Sequence, residues 1–315
     1  MLTYATQRCI LEHFEANKRI YLSHRCSSIQ KVEKSIPLKL HTLSLVGSSI
    51  TINNVVYKMR NVFNDYHLEI IHRQRIPTVR NVPNNSNFLL VTKILFDNFF
   101  EGRSKINVGN FNFDVFCLAI NILDIQASNV KLARWFHEDV LKIINVSSYP
   151  LKTLNIFFQD FTIRNLDSGF RDARKLILRE VIGSRMLPTL CGLRNSIIEL
   201  ADLNISTREI IMLVREWKKN KRAIGSKCLM NHCQDLYLDH FEQDVVVAAV
   251  EAMSGKMLDK SELGEGLPPT TIALAIPVST GDSEILLYAY TSGQTGLLSM
   301  QMMSVPTGSY RLDQF

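Results

Sequence analysis

The residues with the most evident potential for chemistry are Cys228, His232, Cys233 and His240, since thiolates and imidazoles are the usual ligands of a zinc ion. Their spacing fits no common zinc finger, and adjacent His232 and Cys233 would both have to point at one ion. They read as a core cysteine pair, and no metal is assigned. His137-Glu138 is half of a zinc-protease motif, but Leu141 stands where the second His belongs. Gly264 and Gly266 precede Pro268-Pro269 instead of joining a strand to a helix, so they make no dinucleotide loop. There is no Gly-x-Ser-x-Gly elbow to expose a nucleophile. Asp160, Asp167 and Asp172 are too scattered to pair for acid–base work. No catalytic residue and no cofactor are expected.

Nucleic-acid binding would need a basic patch with interleaved aromatics. Tyr66, His67, His72, Arg73, Arg75 and Arg80 offer a faint one, better read as a solvated basic loop. Lys218 to Arg222 lie near a helix C-terminus, where cations complement the dipole. The formal charge of +6 is spread thinly, which favours solubility over a sharp polyanion site.

The elements that would position these residues follow from hydrophobic periodicity. Residues 4–35 read as two short helices. Ile10, Leu11 and Phe14 share one face of the first, and Leu22, Cys26, Ile29 and Val32 form a stripe on the second. Pro37 stops the helix. Residues 38–45 and 50–57 then form a strand–turn–strand pair around Gly47-Ser48-Ser49, with Asn53-Asn54 as a further turn. Residues 60–88, polar and Asn-rich, read as a loop; 89–101 as a short helix; 107–121 as containing a strand. Beyond them strands at 116–125, 151–158 and 196–200 alternate with helices at 129–146, 168–182 and 206–225. The last helix opens on a capping box, Ser206 to Glu209, buries Ile210, Leu213, Val214 and Trp217, and stops near Gly225. Three further strands lie at 272–276, 284–290 and 297–305.

Alternating strands and helices predict a mixed α/β fold. Pro-Leu-Lys precedes an apolar strand both at 37–45 and at 150–156, consistent with an irregular leucine-rich-repeat-like βα array. The expected organisation is a helical head at 1–40, a repeat region at 41–244 and a C-terminal β meander at 245–315. A chain of 315 residues that is 46% hydrophobic and 21% charged has ample core for this. No stretch of about 20 apolar residues marks a membrane span, and the start lacks a secretory pattern. With six dispersed cysteines, a cytoplasmic or nuclear protein is expected.

Residues 9–40 resemble the opening of a large nematode-expanded family of uncharacterised proteins. The likeness is carried by Asn17 to Arg19 and by Glu33-Lys34-Ser35-Ile36-Pro37-Leu38, and it continues through 43–57. Residues 194–225 resemble the region that family shares with F-box-associated domains, a strand leading into a capped helix with a buried Trp, here Trp217. The head also resembles an F-box in the rhythm of Ile10-Leu11, Ile20, Leu22-Ser23, Arg25-Cys26 and Ile29, although it lacks the Leu-Pro opening and the Trp after Cys26. That resemblance implies that Ile10, Leu11, Phe14, Ile20, Leu22, Cys26 and Ile29 contact a protein partner, the adaptor subunit of an SCF ubiquitin ligase. The function expected is a non-enzymatic interaction scaffold. The alternatives are an enzyme whose site assembles only in the fold and, behind it, a weak nucleic-acid binder.

Overall fold

The computed structural model describes residues 3–62, 65–72, 77–81, 88–103, 105–114, 124–132, 143–157, 172–180, 187–201, 205–233, 245–246, 253–263, 271–278, 281–291 and 298–310. Contacts divide the mixed α/β chain into two compact units, Met1–Leu151 and Lys152–Phe315. The boundaries expected at 40 and 244 fall inside these units.

The first unit opens with three helices, α1 (Tyr4–Glu12), α2 (Ala16–Arg25) and α3 (Ser27–Ser35), where two were expected. The apolar stripe breaks at Cys26, which caps the end of α2 and the start of α3. Next come β1 (Leu38–Val46), β2 (Ser49–Ile52), β3 (Val55–Val62), β4 (Asp65–His72), β5 (Thr78–Asn81), α4 (Phe88–Phe100), β6 (Ile106–Asp114) and β7 (Ile125–Leu132). Their order across the sheet is β7-β6-β1-β2-β3-β4-β5, with β7, β6 and β1 parallel and the remainder antiparallel.

A buried ion pair joins the head to this sheet. The carboxylate of Glu33, fully buried on α3, accepts two hydrogen bonds of 2.8 Å from Arg103, just beyond α4. Arg19 on α2 lies 3.3 Å from the same carboxylate and donates to the backbone carbonyls of Glu33, Ile36 and Pro37. Burial pulls the Arg19 guanidinium below its ordinary pKa, and Glu33 acts in the opposite direction. A second seam is polar. Glu15 caps α2 by accepting from the backbone N–H groups of Asn17 and Lys18, and takes further bonds from the amides of Asn17 and Asn53. Asn17 also donates to Ile52 O across 2.9 Å.

The parallel strands share one pattern. Leu38, Leu40, Leu43 and Leu45 on β1 are buried, as are Ile106, Val108, Phe111 and Phe113 on β6, and Ile125, Ala127, Val130 and Leu132 on β7. Each strand changes phase once, at the same level, between its second and third apolar residue. There Asn129 donates to Asn110 Oδ1 at 3.0 Å and to Gly109 O at 3.3 Å, while Asn110 donates to His41 O at 3.4 Å. A Cβ on Gly109 would sit 2.8 Å from His41 O, so no side chain fits at this step.

Two expectations in this unit are corrected. The helix expected at 129–146 begins as strand, because the three-residue step from Ala127 to Val130 is the phase change of β7 and not a helical turn. Residues 133–142, and 116–123 of the strand expected at 116–125, lie outside the described residues. The loop expected at 60–88 contains the end of β3 and all of β4 and β5. Leu68, Ile70 and His72 alternate with His67, Glu69 and Ile71, a period of two that the polar, Asn-rich composition conceals.

The second unit holds β8 (Thr153–Phe157), β9 (Lys175–Arg179), α5 (Leu187–Gly192), β10 (Ile197–Ala201), α6 (Thr207–Asn220), β11 (Lys227–Cys233), β12 (Lys256–Met257), α7 (Lys260–Leu263), β13 (Ile272–Pro277), β14 (Ser283–Thr291) and β15 (Leu298–Pro306). Strands β8 to β11 are successively adjacent and parallel. β11 then pairs antiparallel with β15, which leads through β14 to β13 in the expected meander. The meander therefore covers the β11 edge, an economical answer to the exposed-edge problem.

The helix expected at 168–182 is corrected to β9. Its short run Lys175-Leu-Ile-Leu-Arg179 is ambiguous alone, and pairing with β8 on one side and β10 on the other makes it strand. Residues 158–171 and 181–186 lie outside the described residues. The α6 capping box is present, with Ile210, Leu213, Val214 and Trp217 buried. The helix stops at Asn220, where Lys221 turns left-handed (φ 45°), ahead of the expected Gly225. Gly225 (φ 86°) serves the turn before β11.

Two substitutions test this account. Glu33→Gln strands two buried guanidiniums, and urea unfolding should show a loss of about 3–5 kcal/mol; an unchanged midpoint would deny the ion pair its role. Gly109→Ala forces a methyl against a backbone carbonyl, and the same assay should show a loss of about 1–3 kcal/mol.

Candidate functional site

A cleft of about 1190 Å³ lies within the first unit. Its floor is one face of the β3–β4–β5 sheet. Val55 and Tyr57 on β3, Leu68, Ile70 and His72 on β4, and Thr78 and Arg80 on β5 occupy alternate positions. Strand pairing places them side by side, Tyr57 opposite Ile70, Val55 opposite His72, Leu68 opposite Arg80 and Ile70 opposite Thr78. One wall is α2, which contributes Asn17, Lys18, Ile20, Tyr21 and His24 at helical spacing. The other is α4, with Leu95, Asn98 and Phe99.

The interior is apolar and braced by rings. Phe99 packs against Tyr57 with centroids 4.7 Å apart and meets His24 edge-on at 5.9 Å. The Nδ1–H of His24 donates to Ile20 O at 2.7 Å, which holds the imidazole upright on the wall. The Tyr57 hydroxyl donates to Asn17 Oδ1 at 3.2 Å, and burial, then Glu15, push its phenol up to about 12, so it stays a donor.

The rim is cationic. Lys18 and Arg80 are both exposed, and among the described residues neither has an ion-pair partner. Lys18 rests 4.7 Å above the Phe14 ring. Among the described residues the single lining carboxylate is Glu15, which is already engaged by two backbone N–H groups and two side-chain amides.

Of the seven residues expected to bind a partner, Leu11, Phe14 and Ile29 meet in one apolar cluster of the head, and the other four lie apart from it. Leu11 is buried with Val32 and Ile36, and Phe14 and Ile29 pack on that cluster. Ile20 is buried on the cleft wall. Leu22 is half-buried, Cys26 is exposed and Ile10 is 42% exposed. Of the basic patch weighed for nucleic acid, His72 and Arg80 line the cleft, and His67 alternates to the other face of β4. Arg73 and Arg75 lie outside the described residues.

The cysteines of the tested zinc group are both buried, Cys228 and Cys233, and burial pushes each thiol up to about 12, which favours neutral core side chains over thiolate ligands. His240 lies outside the described residues. Among the described residues no group of three or more His, Cys, Asp or Glu could hold a metal ion. None of the described helices is long and apolar enough to cross a membrane.

Sequence reasoning missed the cleft because its residues come from five elements separated by up to about 80 positions. The available signal was the alternation at 68–72 and 78–80, masked by the turns around it.

Residues 91–231 match the family described as a domain of unknown function (DUF3557). That stretch begins within α4 of the cleft and ends within β11, and leaves the head, β1 to β5 and the meander outside. No curated protein matches the chain. Among solved structures, one similar chain is an S-adenosylmethionine-dependent methyltransferase from Clostridium acetobutylicum ATCC 824, at 9% identity and a TM-score of 0.14. The alignment covers 59% of this chain and spans 60% of the length of that one.

Proposed function

We propose that this chain is a non-enzymatic protein-interaction scaffold of the cell interior. On this reading its parallel strands form an irregular leucine-rich-repeat-like array, and its helical head docks the adaptor of an SCF ubiquitin ligase. The observation that carries the scaffold reading is the stacking of successive strands at repeat spacing. Leu154, Leu176 and Ile198 occupy one level at steps of 22 residues, and Ile156, Leu178 and Leu200 occupy the next. In the first unit Ile106, Ile125 and Ile144 follow at steps of 19. Steps of about 20–29 residues are those of leucine-rich repeats, whose stacked units present an extended face of alternate side chains.

That alternate face is partly exposed here and mixes polar side chains with Phe157, Ile177 and Ile197. Lys175 pairs with Glu199 across 2.7 Å between neighbouring strands, and Arg179 donates to Asn155 at 3.0 Å. Such cross-strand rows suit recognition of another protein surface better than the chemistry of a small substrate. For the head, Ile10, Arg25 and Cys26 are exposed residues of the F-box-like rhythm, and Leu22 and Ile29 are half-buried.

Affinity purification with mass spectrometry on the full chain tests both parts. Adaptor and ligase scaffold should be recovered with the wild type and fall about tenfold with Ile10→Glu, a substitution at an exposed site. Other partners should be lost on charge reversal at Lys175 and Arg179. Partners that persist through both sets of substitutions would overturn the reading.

A further inference from the structure

We infer that the cleft between α2, α4 and β3–β5 binds a long-chain carboxylate of the fatty-acid class, its acyl chain laid along Leu68 and Ile70 and its head paired with Arg80. This goes beyond the interaction-scaffold reading and does not depend on it.

The floor fixes the direction and length of the guest. In the strand pairing Arg80 stands opposite Leu68, Tyr57 and Thr78 flank Ile70, and Val55 stands opposite His72. From Leu68 to His72 is about 13 Å along β4. Leu68 and Ile70 are only half-buried, so an apolar guest covers surface that the chain itself leaves in water. Ile20 of α2 and Leu95 and Phe99 of α4 line the same space. At about 1190 Å³ the cleft is somewhat larger than the roughly 300–1,000 Å³ usual for drug-sized ligands, which leaves room for a flexible chain.

Peptide occupants fit less well. An extended peptide on this floor would press its N–H and C=O groups onto aliphatic side chains, and each group left unpaired is costly. A guest helix cannot pass between the walls, because His24 and Phe99 meet across them at 5.9 Å. An acyl chain has no backbone polar groups and is thinner than either.

Charge then places the head. Arg80 is exposed on the cleft side of β5 and has no ion-pair partner among the described residues. Its guanidinium offers a fork of donors that matches a carboxylate. Lys18 belongs to the other end of the floor. Its neighbours Glu15 and Asn17 are bonded to Asn53 and Ile52, at the turn that leads into Val55. Lys18 also rests over the Phe14 ring. One guanidinium therefore meets the head, which suits a single negative charge, and a basic amphiphile would meet a cation at either end.

The test is isothermal titration calorimetry of the full chain with sodium laurate below its micellar concentration. Laurate should bind saturably at one site per chain, with the negative heat-capacity change that marks apolar burial. Affinity should rise about three- to fourfold for each methylene from octanoate to laurate. Dodecanol and dodecylamine, which lack the carboxylate, should bind at least about tenfold more weakly. Arg80→Glu should weaken laurate at least about tenfold. Thr78→Trp, which fills the floor beside Ile70, should do the same, and both variants, at exposed positions, should keep the wild-type thermal midpoint. Lys18→Glu should change the affinity less than about twofold, since salt screens charges at opposite ends of the floor. Absence of saturable binding, indifference to chain length, or equal sensitivity to Lys18→Glu and Arg80→Glu would each overturn the assignment. Binding to phosphatidylglycerol vesicles in place of saturable laurate binding would also overturn it, by making the cationic rim a membrane contact.

Discussion

The carboxylate of Glu33, buried between Arg103 and Arg19, is the constraint on which the first unit depends. Burying a carboxylate and two guanidiniums is unfavourable unless the charges meet in good geometry and their remaining donors are used. Here Arg103 meets Glu33 with both of its terminal nitrogens, and Arg19 divides its donors between that carboxylate and three backbone carbonyls around the α3–β1 turn. The arrangement leaves Arg19 Nε without a partner, so it is a compromise. Its consequence is geometric: α2, α3, the end of α4 and the start of β1 can satisfy these charges in one relative placement. The segments Asn17 to Arg19 and Glu33 to Leu38 thereby act as two halves of a structural clasp.

The cleft is a by-product of that clasp. With α2 held by Arg19 and by the Glu15–Asn17–Asn53 seam, and α4 held by Arg103, both helices stand over the β3–β4–β5 face without closing on it. The space between them is lined by what each element presents at its own period, every second residue of the strands and every third or fourth of the helices. An apolar floor with a cationic rim follows from that arithmetic.

In both units the parallel strands use the same solution to stacking. Apolar side chains sit at matched levels, and polar side chains bridge neighbouring strands at intermediate ones. Asn110 and Asn129 do this in the first unit, and Lys175, Glu199, Arg179 and Asn155 in the second. Where a level leaves no room, as beside His41 O, the chain places Gly109. The array reading draws its support from this repetition, and the antiparallel meander bonded to β11 covers what would otherwise be an open edge.

Much of the local structure was legible in the sequence because it is encoded locally. Ser206 and Glu209 cap α6 through contacts within four residues, and the short apolar runs at 272–276 and 284–290, bounded by turn residues, read as strands and are buried on both faces. Pro37 ends the head helices wherever the rest of the chain lies. What only the tertiary structure decided depends on partners distant in sequence. Residues 125–132 and 175–179 are strand because neighbours on either side accept their backbone groups, whereas their own spacing reads equally well as helix. The fully buried side chain of Glu33 meets Arg103 from 70 residues away, a pairing that only the fold brings about. His72 and Arg80 read as a solvated loop until α2 and α4 made them part of a cleft. Periodicity reports which residues want to be buried, and it carries no information on what they will be buried against.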